Sequence, residues 1–432
     1  MTHSQPFGAG LSALVLLTAA CTTTPPAPDT SAPVETRPTE QARPSAPNPI
    51  LAPLAAPKRP APGPTAAPLA APPVPPAPPS VYGGPLQGRA LVQELLPPTV
   101  RRDRAGWAVD IAGAFAALRL PATAENFCAA MAVIEQESSF QADPEVPGLA
   151  RIAWREIEAR RESHHIPKLA LDAALAKPSP DGRSYRQRID SLRTERQMSL
   201  LYTDIIDEVP GGKTLLAGYN PVRTGGPMQV SVAFARDHVR EKPYGATLVR
   251  DLGGDLREAV FTRRGGLYFG IAHLLDYPAP YRDIVYRFAD YNAGRFSSRN
   301  AAFQQALSRL TGFTMDLDGD LLNYENGVPS GKESATQQAS RRLAGRLRLS
   351  PGEIDASLLL EKSEAFARTA LYQKVLTLAD EAAGQRQPRE LMPRIDLKSP
   401  KIRSKITTAW FAERVHGRYQ LCLQRAANLP SH

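Results

Sequence analysis

The hydrophobic and polar positions of this chain change pattern near residue 88. From Gly88 onward, apolar residues recur in long segments with the helical period of about 3.6 residues, and alternating apolar and polar runs are few. Turn-forming residues separate these segments, as at 178–182 and at Gly253-Gly254. The pattern therefore predicts a mainly α-helical domain over residues 88–432.

One predicted helix carries a carboxylate at a chemically interesting position. Thr123 can cap its amino end, and Phe127, Met131 and Ile134 follow at spacings of four and three residues, which directs an apolar stripe toward a core. Glu137 lies three residues beyond Ile134, close to that stripe. A carboxyl group against an apolar wall loses hydration when charged, so its pKa rises and it can serve as a general acid. The same pattern also fits an ordinary solvated surface charge.

The front of the chain has a different composition. Of the 42 prolines, 22 lie in residues 1–85, and residues 22–85 show neither helical nor strand periodicity. Such sequence favours extended polyproline II and cannot bury enough apolar surface to fold. We therefore predict a disordered Pro/Ala-rich tether over residues 21–87, followed by a domain long enough to build a hydrophobic core.

A short apolar run at residues 9–17 ends in Leu-Thr-Ala-Ala-Cys at 17–21. The run is too short to span a bilayer, and small residues before a cysteine are typical of a processing site. It resembles a bacterial lipoprotein signal, which implies removal of residues 1–20 and lipidation of Cys21. Thr22, rather than Asp, follows the cysteine, and by resemblance this favours the outer membrane, facing the periplasm. The alternative is an ordinary secretory signal with an incidental cysteine.

The formal net charge of +9 raises the question of an anionic partner. Basic residues are interleaved with acidic ones throughout, and no RNP, zinc-finger or basic-zipper pattern occurs. We therefore expect no nucleic-acid binding. An anionic cell wall and membrane surface suit the charge equally well.

Three short motifs follow one another along the predicted domain: Glu-Ser-Ser-Phe at 137–140, Gly-Pro-Met-Gln-Val at 226–230 and Tyr-Asn-Ala-Gly at 291–294. In this order they resemble the motifs of lysozyme-like lytic transglycosylases and goose-type lysozymes, over roughly residues 107–312. The signal, the Pro-rich stretch and the domain together also resemble a family of uncharacterised proteobacterial lipoproteins. The resemblance implies a mainly α, lysozyme-like catalytic domain.

The resemblance further implies an enzyme that cuts the bond between N-acetylmuramic acid and N-acetylglucosamine in peptidoglycan. Such enzymes use one carboxyl group, here Glu137, and leave a 1,6-anhydro end. Ser138 would orient the end of its helix, and the Tyr291 hydroxyl would support Glu137. The residues implied to contact substrate are Gly226, Met228, Gln229 and Asn292. Core packing is the alternative role for Met228, and a helix-terminating turn is the alternative for Asn292.

Three departures from the family pattern affect these expectations. Residues 150–220 are an apparent helical insertion, Pro227 replaces the usual Leu, and Asp290 replaces the Ala before Tyr291. A carboxylate at 290 would raise the pKa of Glu137 or hold a water for hydrolysis. A hydrolytic muramidase and a non-catalytic murein-binding lipoprotein therefore remain alternatives. The sequence assigns no role to the extension over about 330–432.

The remaining cysteines and acidic clusters suggest one covalent link and no cofactor. With Cys21 assigned to lipid, Cys128 and Cys422 form an even pair in an oxidising compartment, so they are either a disulfide or two buried thiols. The aspartates at 316, 318 and 320 resemble the start of a calcium loop, but its turn glycine and its final glutamate are missing. His164-His165 lacks the spacing of a metal site. We expect neither metal nor cofactor, with calcium at Asp316, Asp318 and Asp320 as the alternative to an Asp-rich turn.

Overall fold

The computed structural model describes residues 87–208, 220–279, 281–325, 327–397 and 406–429. The predicted signal segment, Cys21 and the tether up to residue 86 lie outside the described residues. The described chain is mainly helical, which confirms the mainly α part of the predicted fold class. None of the described helices is both long and apolar enough to cross a membrane.

The first core is shared by helices from both ends of the domain. Its elements are α1 (Gly88–Leu95), α2 (Arg104–Leu118), α3 (Ala124–Ser138), the strands β1 (Thr224–Gly225) and β2 (Val230–Ser231), α8 (Val232–Glu241), α9 (Pro243–Asp251), α10 (Leu256–Phe261), α11 (Arg263–Leu275), α12 (Val285–Ala293) and α18 (Thr408–Ala427). Antiparallel pairing of β1 with β2 matches Thr224 with Ser231 and Gly225 with Val230.

Helix α3 is the centre of this core. The Thr123 side chain accepts a hydrogen bond from the Asn126 amide at 3.3 Å, as the predicted cap requires. Residues 127–134 are each at most 2% exposed, so α3 is buried on all sides and not along one stripe only. The additional cover comes from α18, which packs along α3 and is joined to it by a disulfide between Cys128 and Cys422.

The insertion has an apolar core of its own. It contains α4 (Leu149–Ser163), α5 (Lys168–Leu175), α6 (Tyr185–Asp190) and α7 (Glu195–Asp207), whose buried side chains cluster together. Polar contacts join it to the first core: Thr194 donates to Asp143 at 3.0 Å, and Arg196 pairs with Glu258 at 3.1 Å.

A third apolar cluster follows α12. It is formed by α13 (Ser297–Thr311), α14 (Ala335–Arg342), α15 (Ala344–Leu347), α16 (Pro351–Leu358), the 3₁₀ helix Glu364–Arg368 and α17 (Ala370–Ala383). Two further antiparallel pairs are β3 (Tyr324–Glu325) with β4 (Val328–Pro329), and β5 (Asp396–Leu397) with β6 (Ile406–Thr407). The predicted extension over 330–432 is therefore divided. Helices α14 and α17 pack on α13, and α15 and α16 pack on α14 and α17, whereas α18 belongs to the core around α3.

Candidate active site

Glu137 lies in the last turn of α3, where the chain leaves the core abruptly. Ser138 ends the helix and donates its hydroxyl proton to the Ile134 carbonyl at 3.0 Å, consistent with an orienting role. Ser139 and Phe140 both adopt left-handed backbone conformations, with φ of 50° and 60°. The Phe140 ring then packs edge-on against Trp107 at 5.2 Å, which fixes the exit of the chain beside Glu137.

The carboxyl group of Glu137 is held in an unusual environment. Removal from water raises its pKa from the ordinary 4.5 to about 7, and this desolvation is the only cause of the shift. Among the described residues, no hydrogen bond or salt bridge reaches the carboxyl group. The residue nevertheless retains partial exposure. Such a carboxyl group is close to evenly protonated at neutral pH, unlike a solvated surface charge.

Tyr291, on α12, is the neighbour that the third motif brings to Glu137. Burial raises its pKa well above the usual value, and the nearby negative charge of Glu137 raises it further. Its hydroxyl proton is donated to the Met228 carbonyl oxygen at 2.5 Å, and not to Glu137 as expected. The hydroxyl thereby connects the second motif to the third, and Tyr291 forms part of the wall that excludes water from Glu137.

The second motif forms the turn between β1 and β2. Gly226 has φ of 73°, and a Cβ at this position would lie inside van der Waals contact of the Val260 carbonyl oxygen. Its close approach is therefore to the α10–α11 junction, which corrects the expectation that its backbone lies against a sugar. Gln229 also has positive φ, 50°, and its side-chain amide donates to the Gly226 carbonyl at 3.4 Å. Gln229 is partly exposed, and its side-chain oxygen accepts a hydrogen bond from the Thr224 hydroxyl at 3.2 Å.

Met228 must be reassigned from substrate contact to core packing. Its side chain is 0% exposed and lies against Gly270 of α11, where a Cβ would collide with the Met228 sulfur. The Met228 carbonyl oxygen accepts the hydrogen bond from the Tyr291 hydroxyl. A buried thioether cannot offer an apolar surface to a sugar, so the alternative considered for this residue is the correct one.

Asn292 joins two helices through its side-chain oxygen. That oxygen accepts a hydrogen bond from the Thr408 hydroxyl at 2.9 Å, which ties the end of α12 to the start of α18. Gly294 ends α12 with φ of 114°. Asn292 is also partly exposed, so its expected sugar contact stays a prediction. Thr408 was not identified from the sequence, since no local motif marks a contact across 116 residues.

Asp290 does not raise the pKa of Glu137. This contrasts with the expectation drawn from an Asp at a position where the resembling family has Ala. Its carboxylate is fully buried and accepts hydrogen bonds from the Tyr277 and Tyr281 hydroxyls at 3.1 and 2.6 Å. Two backbone amides, of Phe296 and Ser298, donate to it at 2.8 and 2.7 Å. These four donors hold the start of α13, so Asp290 is a structural carboxylate.

His273 is a neighbour of the site that the sequence motifs did not reveal. Its ring lies 5.0 Å from that of Tyr291, and its Nε2 is 3.3 Å from the Tyr291 carbonyl oxygen. Burial lowers the pKa of His273 to about 3, so the imidazole is neutral at physiological pH. A single histidine within an apolar helical segment such as α11 matches no catalytic or metal-binding motif. Its burial follows from the apolar residues around it in that helix.

The other motifs from the sequence do not assemble a metal centre. In the part of the chain that the structure describes, no group of three His, Cys, Asp or Glu residues could hold a metal ion. Asp318 accepts from Gln304 at 2.9 Å and Asp320 pairs with Lys362 at 3.4 Å. His164 and His165 are exposed at the end of α4. The thiols of Cys128 and Cys422 are joined, with their Cα atoms 5.5 Å apart.

Comparison with known proteins identifies relatives along most of the chain. The family described as "Protein of unknown function (DUF1615)" matches residues 100–425. An Escherichia coli (strain K12) protein named "Uncharacterized protein YaiW" is 48% identical over 336 residues, which is 78% of this chain and 89% of the relative. No solved structure matches the chain significantly. Because the family match extends over residues 100–425, the protein belongs to the DUF1615 family.

Proposed function

We propose that this protein is a peptidoglycan lytic transglycosylase, anchored in the outer membrane through lipidated Cys21 and facing the periplasm. The observation that carries the proposal is the carboxyl group of Glu137, which is desolvated, partly exposed and without a partner among the described residues, with its pKa raised to about 7. A general acid is most effective when its pKa lies near the working pH. The order of the three motifs supports peptidoglycan as the substrate.

The chemistry needs no group other than Glu137 and the substrate. The protonated carboxyl group donates its proton to the glycosidic oxygen as the bond from that oxygen to C1 of N-acetylmuramic acid breaks. The resulting carboxylate then takes the proton of the sugar's own 6-hydroxyl, whose oxygen forms the new bond to C1. Glu137 ends protonated, the leaving sugar carries the first proton, and the product is a 1,6-anhydro ring.

The surroundings of Glu137 favour this outcome over hydrolysis assisted by a second carboxylate. Two-carboxylate glycosidases place both groups on either side of the scissile bond. Asp290, the second carboxylate suggested by the sequence, has its acceptor sites occupied by four protein donors. Desolvation alone accounts for the raised pKa of Glu137, so no neighbouring carboxylate contributes to it.

The test is digestion of purified peptidoglycan sacculi by the wild-type protein and by Glu137→Gln, with the released products identified by mass spectrometry. We expect anhydro-muropeptides from the wild type and a loss of at least a hundredfold in the variant, as removal of a general acid requires. Reducing muropeptides would instead identify a muramidase. Binding to sacculi without products from either protein would contradict the enzyme and favour a murein-binding lipoprotein.

A matched control is available on the same helix. Glu135 lies two residues before Glu137, and its charge acts on Arg425 of α18. The variant Glu135→Gln removes a carboxylate from α3 without touching the hairpin or Tyr291. Product release by Glu135→Gln should therefore stay near the wild-type rate, which separates loss of the acid from a general effect on α3.

A further inference from the structure

A groove between α2, α9 and α11 lies apart from the candidate active site. Its cavity volume is about 210 Å³, and its walls include Val109, Gly113, Tyr244, Arg264 and Tyr268. This is smaller than the roughly 300–1,000 Å³ of pockets for drug-sized ligands, and it suits a fragment the size of one sugar ring.

Helix α11 separates the groove from the Gly226 hairpin. Gly266 and Gly270 face the hairpin, where they pack against Pro227 and Met228. Arg264 and Tyr268 line the groove. Each of the latter precedes its glycine by two residues, which corresponds to about 200° around a helix. The groove and the hairpin therefore lie on opposite sides of α11.

Gly113 leaves the floor of the groove open. It lies inside α2, where glycine is less stable than alanine, yet a Cβ at this position would meet nothing within 4 Å. Gly106 on the same helix is different, because a Cβ there would collide with the Asp103 carboxylate. Packing within the protein thus does not require a glycine at 113, and the absent side chain gives a ligand access to the helix.

The wall of the groove offers an aromatic face. Tyr244 is 41% exposed, and its ring lies 5.5 Å from that of Tyr268, which is buried. The Tyr268 hydroxyl is bonded to His238 Nε2 at 3.0 Å, so this ring is fixed in place. Aromatic faces carry partial negative charge and attract the polarised C–H groups on the face of a pyranose. An exposed tyrosine against a fixed one therefore suits a sugar ring.

Charged groups at the rim select the ligand further. Arg264 is exposed, and among the described residues its guanidinium has no salt-bridge or hydrogen-bond partner. Asp110 has one oxygen bonded to Arg263 at 2.5 Å, and its other oxygen has no partner in the described part of the chain. A free guanidinium binds a carboxylate with two hydrogen bonds, and the free oxygen of Asp110 accepts from a hydroxyl.

We infer that the groove is a second binding site, for an N-acetylmuramic acid unit of a glycan strand whose stem peptide has been removed, with the sugar face on Tyr244 and the lactyl carboxylate thereby freed on Arg264. The choice of this sugar over other acidic sugars rests on the proposed function. A site outside the cleavage centre would hold the protein on a glycan strand between cuts.

The test is binding of free N-acetylmuramic acid to the full chain, measured by ligand-observed NMR, with N-acetylglucosamine as the sugar that lacks the carboxylate. We expect Gly113→Leu, which fills the groove, to weaken binding of N-acetylmuramic acid at least tenfold. Gly417→Leu is the matched control, since Gly417 also lies inside a helix with nothing within 4 Å of its Cβ position. This control should bind like the wild type.

Arg264→Gln provides a second variant at an exposed, unpartnered side chain. It should abolish the preference for N-acetylmuramic acid over N-acetylglucosamine. Unchanged affinity in Gly113→Leu, unchanged preference in Arg264→Gln, or no binding by the wild type would each overturn the site. If circular dichroism shows that Gly113→Leu does not fold, the sugar preference of Arg264→Gln alone tests the binding site.

The sacculus digestion reports separately on the proposed function. Binding in the groove without product release would contradict the proposed enzyme activity and support the groove as a binding site. Product release without binding in the groove would support the enzyme activity and contradict the binding site.

Discussion

Glu137 is the residue whose environment follows most directly from its spacing in the sequence. It lies three residues beyond Ile134, close to the same side of α3. The structure accordingly gives it a desolvated carboxyl group with a pKa of about 7. The Thr123 cap was also predicted and is confirmed. The position of Met228 could not be predicted, because its burial depends on Gly270, a residue 42 positions later in the chain whose proximity only the folded structure establishes.

The raised pKa of Glu137 predicts a pH-dependent effect of Glu137→Gln on stability. Below pH 4.5 the carboxyl group is protonated in both folded and unfolded chains, so it imposes no penalty. As pH rises toward 7, the unfolded chain ionises Glu137 freely whereas the folded chain resists the charge, and the wild type loses stability. Above pH 7 the uncharged Gln variant should be more stable by up to about 3 kcal/mol.

Urea unfolding of both proteins at pH 4.5 and pH 8 measures this difference. The gain from the substitution should appear at pH 8 and largely vanish at pH 4.5. A variant that differs from the wild type by the same amount at both pH values would show that the Glu137 carboxyl group is not desolvated.

At the scale of single elements, the helical period predicts that α3 exists and where it begins, but not the extent of its burial. The sequence shows one apolar stripe, and the structure buries residues 127–134 on all sides. Three of these eight residues are alanines, whose small side chains give a weak periodic signal yet allow neighbouring helices to approach closely. The β1–β2 hairpin has strands of two residues each, too short to leave an alternating pattern.

The hairpin predicts a difference between two glycines with nearly the same backbone conformation. Gly226 and Gly312 have φ of 73° and 70°, but only at Gly226 would a Cβ meet a backbone carbonyl, that of Val260. Gly312→Ala should cost about 1 kcal/mol through its backbone conformation alone. Gly226→Ala should cost at least about 2 kcal/mol more, because the hairpin must move away from α10.

Thermal or urea unfolding of the two variants tests this expectation. Gly312→Ala is the control for the stability cost of placing an alanine in the left-handed backbone conformation. Equal losses of stability in the two variants would mean that the hairpin does not press against the Val260 carbonyl.

For the whole molecule, the sequence predicts a mainly helical domain with an insertion, and it indicates the return of the C-terminal helix to the core only through the even pair Cys128 and Cys422. The structure confirms the disulfide alternative for this pair; hydrophobic periodicity alone reports no contact over a separation of 294 residues. The third cluster, around α13 and α17, was also not foreseen, because periodicity identifies helices and not their partners. Asp290 was misjudged for the same reason, since Tyr277 and Tyr281 are brought to it by tertiary packing.

The disulfide predicts a large difference in stability between oxidised and reduced protein. A crosslink that closes a long loop restricts the unfolded chain, and its loss typically costs about 2–5 kcal/mol. The double variant Cys128→Ala/Cys422→Ala should therefore unfold at lower urea concentration than the oxidised wild type.

Reductant provides the control for this prediction. It should lower the unfolding midpoint of the wild type and leave that of the double variant unchanged. A wild-type midpoint that does not respond to reductant would show that the two thiols are not joined.

The packing of α18 along α3 also determines when the candidate active site can form. Protein chains are synthesised from the amino end, so α3 emerges long before residues 408–427 are available to cover it. Until then, the apolar side of α3 that faces α18 in the folded protein has no native partner, and Asn292 lacks Thr408. Completion of the Glu137 site is therefore a late event, which follows release of nearly the entire chain. The activity proposed for Glu137 would therefore be absent from any chain whose C-terminal helix has not yet packed on α3.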